Sequence, residues 1–337
     1  MKTLNYPHWG ALEVKEIPRP VPRDREVLIR VSHCGICGSE LDTFRSRSPR
    51  RTPPLIMGHE FCGWVEHAGN AESNWKKGMP VIAHAVVHCG SCSPCKRGDT
   101  NLCSDRRVFG MHRPGAFAEY VSVPEHVLVS WPEALSPVTA VFAEPLANGV
   151  NAMRQNPTGR KSRVVIIGAG PIGLMCLYAA KRLYDASVII SDLVPERLAV
   201  ARTLGADLTV NVHERDINSE VRDHWKGELG EHVIDAVGTS ETKSASVDLI
   251  EAGGTAVWVG LHEDRIQFDT YPLTLHQKTI CGTYSGSMSD LNTAVQILEN
   301  HPFDTSWVSC SPLELGGNTF EAVLRDSSNV KAILRLS

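Results

Sequence analysis

Long apolar segments are missing from this sequence. No apolar run reaches about 18 residues, the length of a membrane-spanning helix, so we expect no such helix. The first ten residues, MKTLNYPHWG, lack a charged segment followed by an apolar one, so we expect no signal peptide and a cytoplasmic protein. A strongly basic balance is missing as well, because the formal net charge is −4, and we expect no nucleic-acid or membrane partner.

The first part of the chain has the pattern of a β-rich domain. Its 337 residues are enough for about two domains, and the character of the sequence changes near residue 150. Before that point, short alternating strands are separated by turns rich in Pro and Gly, and we expect such strands at residues 26–31, 63–66 and 118–123. This alternation is typical of a β-rich domain.

The second part of the chain has the pattern of an α/β domain. Apolar strands alternate there with helical patterns, which is typical of a parallel sheet with helices on both faces. The polar, Pro- and Gly-punctuated residues 151–161 are the best linker candidate. We therefore predict a first domain at residues 1–147, an α/β domain at residues 148–286, and a return to the first domain at residues 287–337.

A run of four cysteines, CGSCSPCKRGDTNLC, is hard to explain by packing. The residues between the cysteines are small, polar and turn-forming, so the thiols can converge on one point and are not core side chains. Either zinc or disulfides could use them. We favour a closed structural zinc site, because C-x2-C steps present two sulfurs on one side of a turn. The same steps form disulfides only with strained geometry. The predicted ligands are Cys89, Cys92, Cys95 and Cys103.

The glycine-rich run GAGPIG directly follows an apolar strand and opens an apolar helix. In this context the first glycine, Gly168, allows a tight turn, and Gly170 lets the backbone approach a pyrophosphate. Gly173 lets helix and strand pack closely, and the helix N-terminus offers unpaired N–H groups to phosphates. We therefore predict a dinucleotide site, in which Pro171 and Ile172 also contact the cofactor.

An acidic residue, Asp192, ends the next strand, nineteen residues past the third glycine. A carboxylate there can accept hydrogen bonds from both ribose hydroxyls and would repel a 2′-phosphate, so we predict NAD rather than NADP. Arg197 could stack on adenine, neutralise a phosphate or be solvated. At the ends of later strands, Val237, Val259 and Gly260 complete the predicted cofactor-binding residues.

Three further motifs contain metal-ligating side chains, although each of them is weak by itself. They are GICGSE, GHEFCGWV and AEPLA. Together with the four-cysteine run, GAFAEYV and GAGPIG, and in the same order, they make the sequence similar to the zinc-dependent medium-chain dehydrogenase/reductase family over nearly its whole length. The combination of CGS with EPL most resembles the sorbitol and polyol dehydrogenase branch.

The resemblance implies an α/β fold class, with a β-rich GroES-like catalytic domain and a Rossmann domain whose doubly wound parallel sheet binds NAD. It makes Cys37 and His59 ligands of a catalytic zinc, with Glu60 and Glu144 as candidates for the remaining places, directly or through water. Cys34 is then a neighbour and not a ligand. A catalytic zinc needs an open position for the substrate oxygen, and hydride passes to the nicotinamide. With the four-cysteine site, this implies two zinc ions per chain.

The resemblance also implies a proton route. Ser39 matches the hydroxyl that takes the substrate proton in the family, but Asp42 stands where many members have a histidine. A carboxylate with a pKa of about 3.9 is a weak base at neutral pH. The proton could leave through Asp42, through water near Glu144, or through His33.

From this resemblance we expect oxidation of a secondary hydroxyl on a polyol, sugar or cyclitol derivative, which is a small-molecule partner. A threonine 3-dehydrogenase-like or butanediol-type activity is the enzymatic alternative, and a zinc-stabilised NAD-binding redox sensor is the non-enzymatic one. The apolar strands GTAVWVG and TICGTY lie where relatives pair sheet edges, so we expect a homodimer or homotetramer.

Between Cys37 and His59 the chain carries four arginines, Arg45, Arg47, Arg50 and Arg51. A solvated basic loop explains them simply. The alternative hypothesis is that one or two of them bind a phosphate or carboxylate of the substrate, because guanidinium groups form paired hydrogen bonds with such groups.

Overall fold

The computed structural model describes residues 1–155 and 162–336, which form two compact units. Unit 1 comprises Met1–Glu144 and Ser287–Ser337, and unit 2 comprises Pro145–Gly286. The second half of the linker candidate, residues 156–161, lies outside the described residues. The division into domains at residues 1–147, 148–286 and 287–337 remains a prediction.

Short strands dominate the first part of unit 1. Besides two single 3-10 turns, Thr100–Leu102 and Glu125–Val127, its elements in chain order are β1 (Lys2–Tyr6), β2 (Glu13–Glu16), β3 (Glu26–Gly35), α1 (Gly38–Ser46), β4 (Leu55–Ile56), β5 (Glu60–Ala68), β6 (Pro80–Ala83), β7 (Val86–Val87), α2 (Ser93–Arg97), β8 (Arg107–Val108), β9 (Tyr120–Pro124), β10 (Leu128–Ser130) and α3 (Pro137–Ala140). Helix α4 (Ala143–Arg154) begins in unit 1 and continues in unit 2. Three of these strands, β3, β5 and β9, overlap the strands expected at residues 26–31, 63–66 and 118–123.

The last residues of the chain return to unit 1. They form α10 (Met288–Asn300), β17 (Val308–Pro312), a 3-10 turn at Leu313–Leu315, α11 (Gly316–Arg325) and β18 (Lys331–Arg335). Strand β18 lies between β3 and β17, so the C-terminal strand completes a sheet begun near the N-terminus. The order of this sheet is β10-β6-β5-β3-β18-β17, and β9 also pairs with β3.

Strand β3 lies in the interior of the unit 1 sheet, and its side chains are buried along most of its length. It pairs antiparallel with β5, β9 and β18. The apolar side chains of these strands, such as Val27, Ile29 and Phe61, lie in one core. This pairing brings the end of β3 beside the start of β5, with Gly35 opposite Glu60.

Unit 2 alternates strands and helices. Its elements after α4 are β11 (Arg163–Ile167), α5 (Pro171–Tyr184), β12 (Ser187–Asp192), α6 (Pro195–Thr203), β13 (Leu208–Asn211), α7 (Ile217–His224), β14 (Gly230–Asp235), α8 (Ser240–Asp248), β15 (Ile250–Trp258), α9 (Tyr271–Leu275) and β16 (Thr279–Gly282). All the strands pair in parallel, in the order β13-β12-β11-β14-β15-β16.

This order is that of a doubly wound sheet. The strands contribute continuous apolar runs because both faces of a parallel sheet are covered, and Val165, Ile189 and Val233 are fully buried in its core. The direction of winding reverses between β11 and β14, and such a switch point leaves a crevice at the carboxyl ends of the strands. The expected α/β fold class is confirmed. Within the described ranges, no helix has the length and apolarity that a bilayer crossing requires.

Candidate functional site

A thiol, an imidazole and a carboxylate converge in unit 1. Cys37 precedes α1 at the end of β3, while His59 and Glu60 stand at the start of β5. Because these two strands are antiparallel neighbours, one potential ligand atom from each residue lies within 4.8 Å of the others. His59 and Glu60 are buried, and Cys37 is half-buried. Three protein ligands of this kind leave a fourth zinc position open.

Glu40 holds two members of this group, His59 and Cys37, through hydrogen bonds, a role that the sequence analysis missed. One of its carboxylate oxygens lies 3.0 Å from Nδ1 of His59 and accepts a hydrogen bond from the Gly58 amide at 2.7 Å. The other oxygen accepts from the amide of Cys37 at 3.0 Å. With Nδ1 facing Glu40, Nε2 of His59 is left for a metal. The signal was the acidic residue at the third position of α1, which fits a capping box.

The electrostatic environment of this group favours a cation. Burial opposes the charged form of His59, but the negative charges of Glu40 and Cys37 raise its pKa well above the ordinary value. Burial likewise opposes ionisation of Glu40, yet the positive charge of His59 lowers its pKa to about 2. Groups that stabilise positive charge on an imidazole also stabilise a bound metal ion, so the donor set fits zinc.

A buried lysine, Lys331 on β18, contacts Glu60. Its ammonium donates to Oε2 of Glu60 and to the carbonyl of Ile36, the latter at 3.0 Å. Both side chains are almost fully buried, at 0% and 2% exposure. Burial disfavours the charged lysine, but the Glu60 carboxylate raises its pKa. The sequence analysis also missed this residue, which lies 271 positions from Glu60.

The proposed proton carriers are placed differently from one another. The hydroxyl of Ser39 donates to the sulfur of Cys37 at 3.2 Å, so it lies beside the candidate metal site. Asp42 accepts a hydrogen bond from Ser46 and lies 3.6 Å from Arg50, and within residues 1–155 and 162–336 it has no hydrogen bond with Ser39.

Three more residues that the sequence analysis named, Glu144, Cys34 and His33, lie outside the close group of ligand atoms. Glu144 is buried in the first turn of α4, and the group within 4.8 Å does not include it among the described residues. The sulfur of Cys34 points to the carbonyl of Gly35, and burial raises its thiol pKa well above the ordinary value. His33 lies on β3 with Nδ1 at 2.8 Å from the Ser32 hydroxyl.

The structure separates Arg51 from the other arginines of the basic segment. Arg51 is only 3% exposed, and its guanidinium donates to the carbonyls of Ser39 and Gly110, each at 3.2 Å. Its inclusion among possible substrate-binding arginines is therefore wrong, because its donors already satisfy buried backbone carbonyls. Arg45 and Arg47 are exposed.

The four cysteines of the predicted structural site converge. Their sulfurs lie within 4.8 Å of one another, and the Cys92 sulfur is 3.4 Å from Cys95 and 3.8 Å from Cys103. Thiolates at the corners of a tetrahedron around zinc would lie about 3.8 Å apart, given a Zn–S bond of about 2.3 Å. All four thiols are free, and hydrogen bonds from Ser91 and the Cys92 amide lower the pKa of Cys89 to about 6. The geometry fits zinc, and none of the four thiols forms a disulfide.

The glycine-rich loop of unit 2 fits a dinucleotide. Gly168 has a φ of +97°, Gly173 packs against its carbonyl, and a Cβ at Gly170 would meet no atom within 4 Å. Gly170 precedes α5, whose first residues are Pro171 and Ile172. The loop therefore leaves open space at a helix N-terminus, where phosphate groups bind.

Asp192 lies at the carboxyl end of β12, as expected. Its carboxylate accepts hydrogen bonds from the amides of Ala169 and Val194, at 2.7 and 2.9 Å. Arg197 approaches this carboxylate at 3.9 Å. Asp192 therefore connects the glycine-rich loop to the next loop, in addition to any hydrogen bond with ribose. Val237, Val259 and Gly260 follow β14 and β15 at the same edge of the sheet.

Comparisons with known proteins agree with these sites. An "Alcohol dehydrogenase GroES-like domain" matches residues 23–133, and a "Zinc-binding dehydrogenase" domain matches residues 171–300. L-galactonate-5-dehydrogenase of Escherichia coli K12 is 33% identical over 80% of this chain and 79% of its own. L-threonine 3-dehydrogenase of Saccharopolyspora erythraea is 32% identical over 88% and 87%. D-arabitol-phosphate dehydrogenase of Enterococcus avium is 33% identical over 87% and 84%.

A solved structure of an alcohol dehydrogenase from E. coli CFT073 with NADH covers 100% of this chain and 99% of its own, at 26% identity and a TM-score of 0.92. The similarity extends over both units and both candidate metal groups, and it supports turnover rather than a sensor without catalysis. The chain belongs to the zinc-dependent medium-chain dehydrogenase/reductase family, in its polyol dehydrogenase-like branch, and is an enzyme that oxidises alcohols with zinc and NAD.

Proposed function

We propose that the protein oxidises a secondary hydroxyl of a polyol, sugar or cyclitol derivative to a ketone. The observation that carries this proposal is the convergence of Cys37, His59 and Glu60 in front of the buried Glu40 carboxylate. When bound, zinc supplies a Lewis acid for the hydroxyl oxygen and NAD accepts the hydride. The protein's own part is to hold both groups and to remove the hydroxyl proton.

Ser39 is the proposed acceptor of that proton. Its Oγ atom lies beside the Cys37 sulfur, so it is within reach of a hydroxyl oxygen held at the metal site. Asp42 is a poorer next acceptor, because its carboxylate interacts with Ser46 and Arg50. Water near Glu144 or the His33 side chain remains a proposed exit from the site.

Of the two carboxylates, we propose Glu60 as the one that approaches the metal directly, since it belongs to the close group of ligand atoms. Lys331 holds Oε2 of Glu60, and this contact limits how that oxygen can move. Glu144 is proposed to act through the water that would occupy the open zinc position. Two zinc ions per chain are proposed, one at each group.

An anionic substrate is the finer proposal. Two relatives act on substrates with an acidic group, as the names galactonate and arabitol phosphate state. Arg45 and Arg47 are exposed and, within the described ranges, neither side chain forms an ion pair or a hydrogen bond. Free guanidinium groups can bind a carboxylate or phosphate with two parallel hydrogen bonds.

The test compares NADH formation from a neutral polyol with that from its phosphorylated and carboxylated analogues. Arg45→Ala or Arg47→Ala should lower kcat/KM for a charged substrate roughly ten- to a hundredfold and leave the neutral one unchanged. The matched control is Arg325→Ala, which removes an exposed arginine of α11 in the same unit. A wild type that prefers the neutral substrate, or variants that behave like the control, would rule out the anionic substrate.

A threonine 3-dehydrogenase-like activity is the second candidate, because one of the similar relatives carries that name. Adding an amino alcohol and a diol to the same substrate panel separates it, and the butanediol-type activity, from polyol oxidation. The highest kcat/KM in the panel identifies the substrate class, since all three activities use the same metal and nucleotide groups.

We also propose a homodimer or homotetramer. Strand β16 is an edge strand of the unit 2 sheet, and the preceding helix α9 exposes Tyr271 and Leu275 at 79% and 76%. Edge strands and exposed apolar side chains favour association. Light scattering at micromolar concentration should give a multiple of the 36.9 kDa chain mass, and a monomeric mass would contradict the proposal.

A further inference from the structure

Asp235 occupies the switch point of the unit 2 sheet. It is the last residue of β14 and pairs in register with Ile167, the residue before Gly168. Its other neighbour in register is Trp258, the last residue of β15. The crevice of a doubly wound sheet opens at this edge, so Asp235 lies directly below the proposed dinucleotide site.

The side chain and the backbone of Asp235 hold two different loops. Its Oδ1 atom accepts hydrogen bonds from the amides of Val237 and Gly238, both at 3.0 Å. Its backbone carbonyl accepts from the amides of Val259 and Gly260, also at 3.0 Å. One residue therefore fixes the loops that follow β14 and β15.

The second carboxylate oxygen of Asp235 has no such contact: Asp235 is fully buried, and its Oδ2 atom has no hydrogen-bond partner among the described residues. A buried, unpaired carboxylate oxygen destabilises a fold. Burial also raises the pKa of this carboxyl group above its ordinary value. The amides of Val237 and Gly238 therefore bind only one of its two oxygens, Oδ1.

Those contacts place Val237 against the glycine-rich loop. A Cβ added at Gly168 would lie 2.6 Å from a methyl group of Val237, so the two loops touch at this point. Val237 itself is 37% exposed, whereas the last residues of β14 before it are buried. Gly238 and Gly260 also touch, and a Cβ at either would overlap the backbone of the opposite loop.

We propose that Asp235 is a positioning residue for the dinucleotide, because its carboxylate fixes the Val237 amide and thereby the apolar surface beside Gly168 on which the cofactor packs. Without that carboxylate the two amides would have to order on binding, and ordering a loop lowers affinity. The inference rests on the proposed dinucleotide site in unit 2.

The experiment measures the Kd for NADH by fluorescence titration, together with the melting temperature of each variant. Asp235→Ala should raise Kd about tenfold, whereas Asp235→Asn, which keeps an acceptor oxygen for both amides, should stay within about twofold of the wild type. Asp207→Ala is the matched control. Asp207 also accepts a hydrogen bond from a backbone amide, that of Val188 at 2.7 Å. This contact lies at the amino ends of the strands β12 and β13, and Asp235 lies at the carboxyl end of β14.

The outcomes separate the positioning role from a structural one. Both alanine variants should melt at lower temperature, but only Asp235→Ala should bind NADH more weakly. An unchanged Kd in Asp235→Ala, or an equal loss in Asp235→Asn, would overturn the positioning role. Wild-type protein that does not bind NADH would instead contradict the proposed dinucleotide site.

A shorter side chain keeps the proposal testable if Asp235→Ala does not fold. Asp235→Ser retains one acceptor oxygen that binds these amides more weakly than a carboxylate does, so its Kd should rise about threefold. A Ser variant that binds NADH as tightly as the wild type would overturn the proposal in that case.

Discussion

The Nδ1 atom of His59 lies 3.0 Å from the carboxylate of Glu40, and both side chains are buried. The same carboxylate accepts hydrogen bonds from the amides of Cys37 and Gly58, so it connects the end of β3 to the start of β5. It therefore fixes the orientation of two proposed zinc ligands at once. Such a partner makes the imidazole a better ligand and holds its ring in one orientation.

Glu40→Gln should weaken the proposed catalytic zinc site about 10- to 100-fold, because glutamine offers one acceptor oxygen in place of two and no negative charge to balance the metal. The measurement is zinc content after dialysis against graded chelator. Glu66→Gln is the control, since Glu66 on β5 forms an ion pair with the exposed Lys77. Equal zinc retention in the two variants would show that Glu40 does not support the site.

The buried ion pair between Lys331 and Glu60 should be costly to break. Lys331→Met leaves the Glu60 carboxylate buried without its partner, and the expected loss in free energy of unfolding is about 3–5 kcal/mol. Lys77→Met, which breaks an exposed pair with Glu66, should cost less than about 1 kcal/mol. Urea unfolding of both variants measures the difference, and similar losses would contradict a buried charged pair.

Zinc removal should act in two stages. The proposed catalytic site has an open position, so chelation should first abolish activity, while the closed four-cysteine site should lose zinc later and with it stability. Metal analysis of the wild type should give two zinc ions per chain, and Cys92→Ser should give one with a lower melting temperature. Cys310→Ser, at an exposed cysteine, is the control. A single zinc in fully active wild-type protein would refute the prediction.

Acid should destabilise unit 2 through His232. Burial lowers the pKa of this histidine from 6.5 to about 4. Between about pH 6.5 and about pH 4, His232 is therefore protonated in the unfolded chain but neutral in the folded chain. The contribution of the neutral His232 to the free energy of unfolding is therefore fully present above about pH 6.5. This contribution falls by about 3 kcal/mol as the pH approaches 4.

His232→Leu should reduce this acid sensitivity, whereas His213→Leu, at an exposed position, should not. Melting temperatures at about pH 5 and about pH 8 provide the comparison. An equal acid shift in the His232→Leu variant and the wild type would assign the sensitivity to other groups.

The parts of the sites that the sequence predicted are local in the chain. Cys89 to Cys103 span fifteen positions, and the glycines of the GAGPIG loop span six, so turn chemistry alone brings each set together. The strand before the loop and the helix after it are apolar runs with clear periods. Patterns of this kind do not depend on how distant strands pair.

The parts that the sequence did not predict depend on distant pairing. Lys331 meets Glu60 only because β18 and β5 flank the same strand, β3, and no local pattern indicates this contact. Arg51 belongs to an apparently solvated basic segment but is buried against carbonyls 12 and 59 positions away. In both cases, burial of a charged side chain is decided by tertiary contacts and not by its neighbours in sequence.

Asp192 should set the preference for NAD over NADP. Asp192→Ala should raise the KM for NAD about tenfold, equivalent to about 1.4 kcal/mol, and narrow the gap to NADP. Part of that loss has a structural cause, because the Asp192 carboxylate also accepts the amides of Ala169 and Val194. Alanine removes both the charge and this support of the glycine-rich loop.

Asp192→Asn separates the two effects in part, since asparagine keeps an acceptor oxygen for one of the two amides but carries no charge to repel a 2′-phosphate. We expect it to narrow the gap between NAD and NADP as much as alanine does, with a smaller rise in the KM for NAD. Asp207→Ala, which removes a carboxylate at the opposite edge of the same sheet, should leave the cofactor ratio unchanged. If the ratio of kcat/KM values for NAD and NADP is also unchanged in both Asp192 variants, Asp192 does not determine cofactor choice.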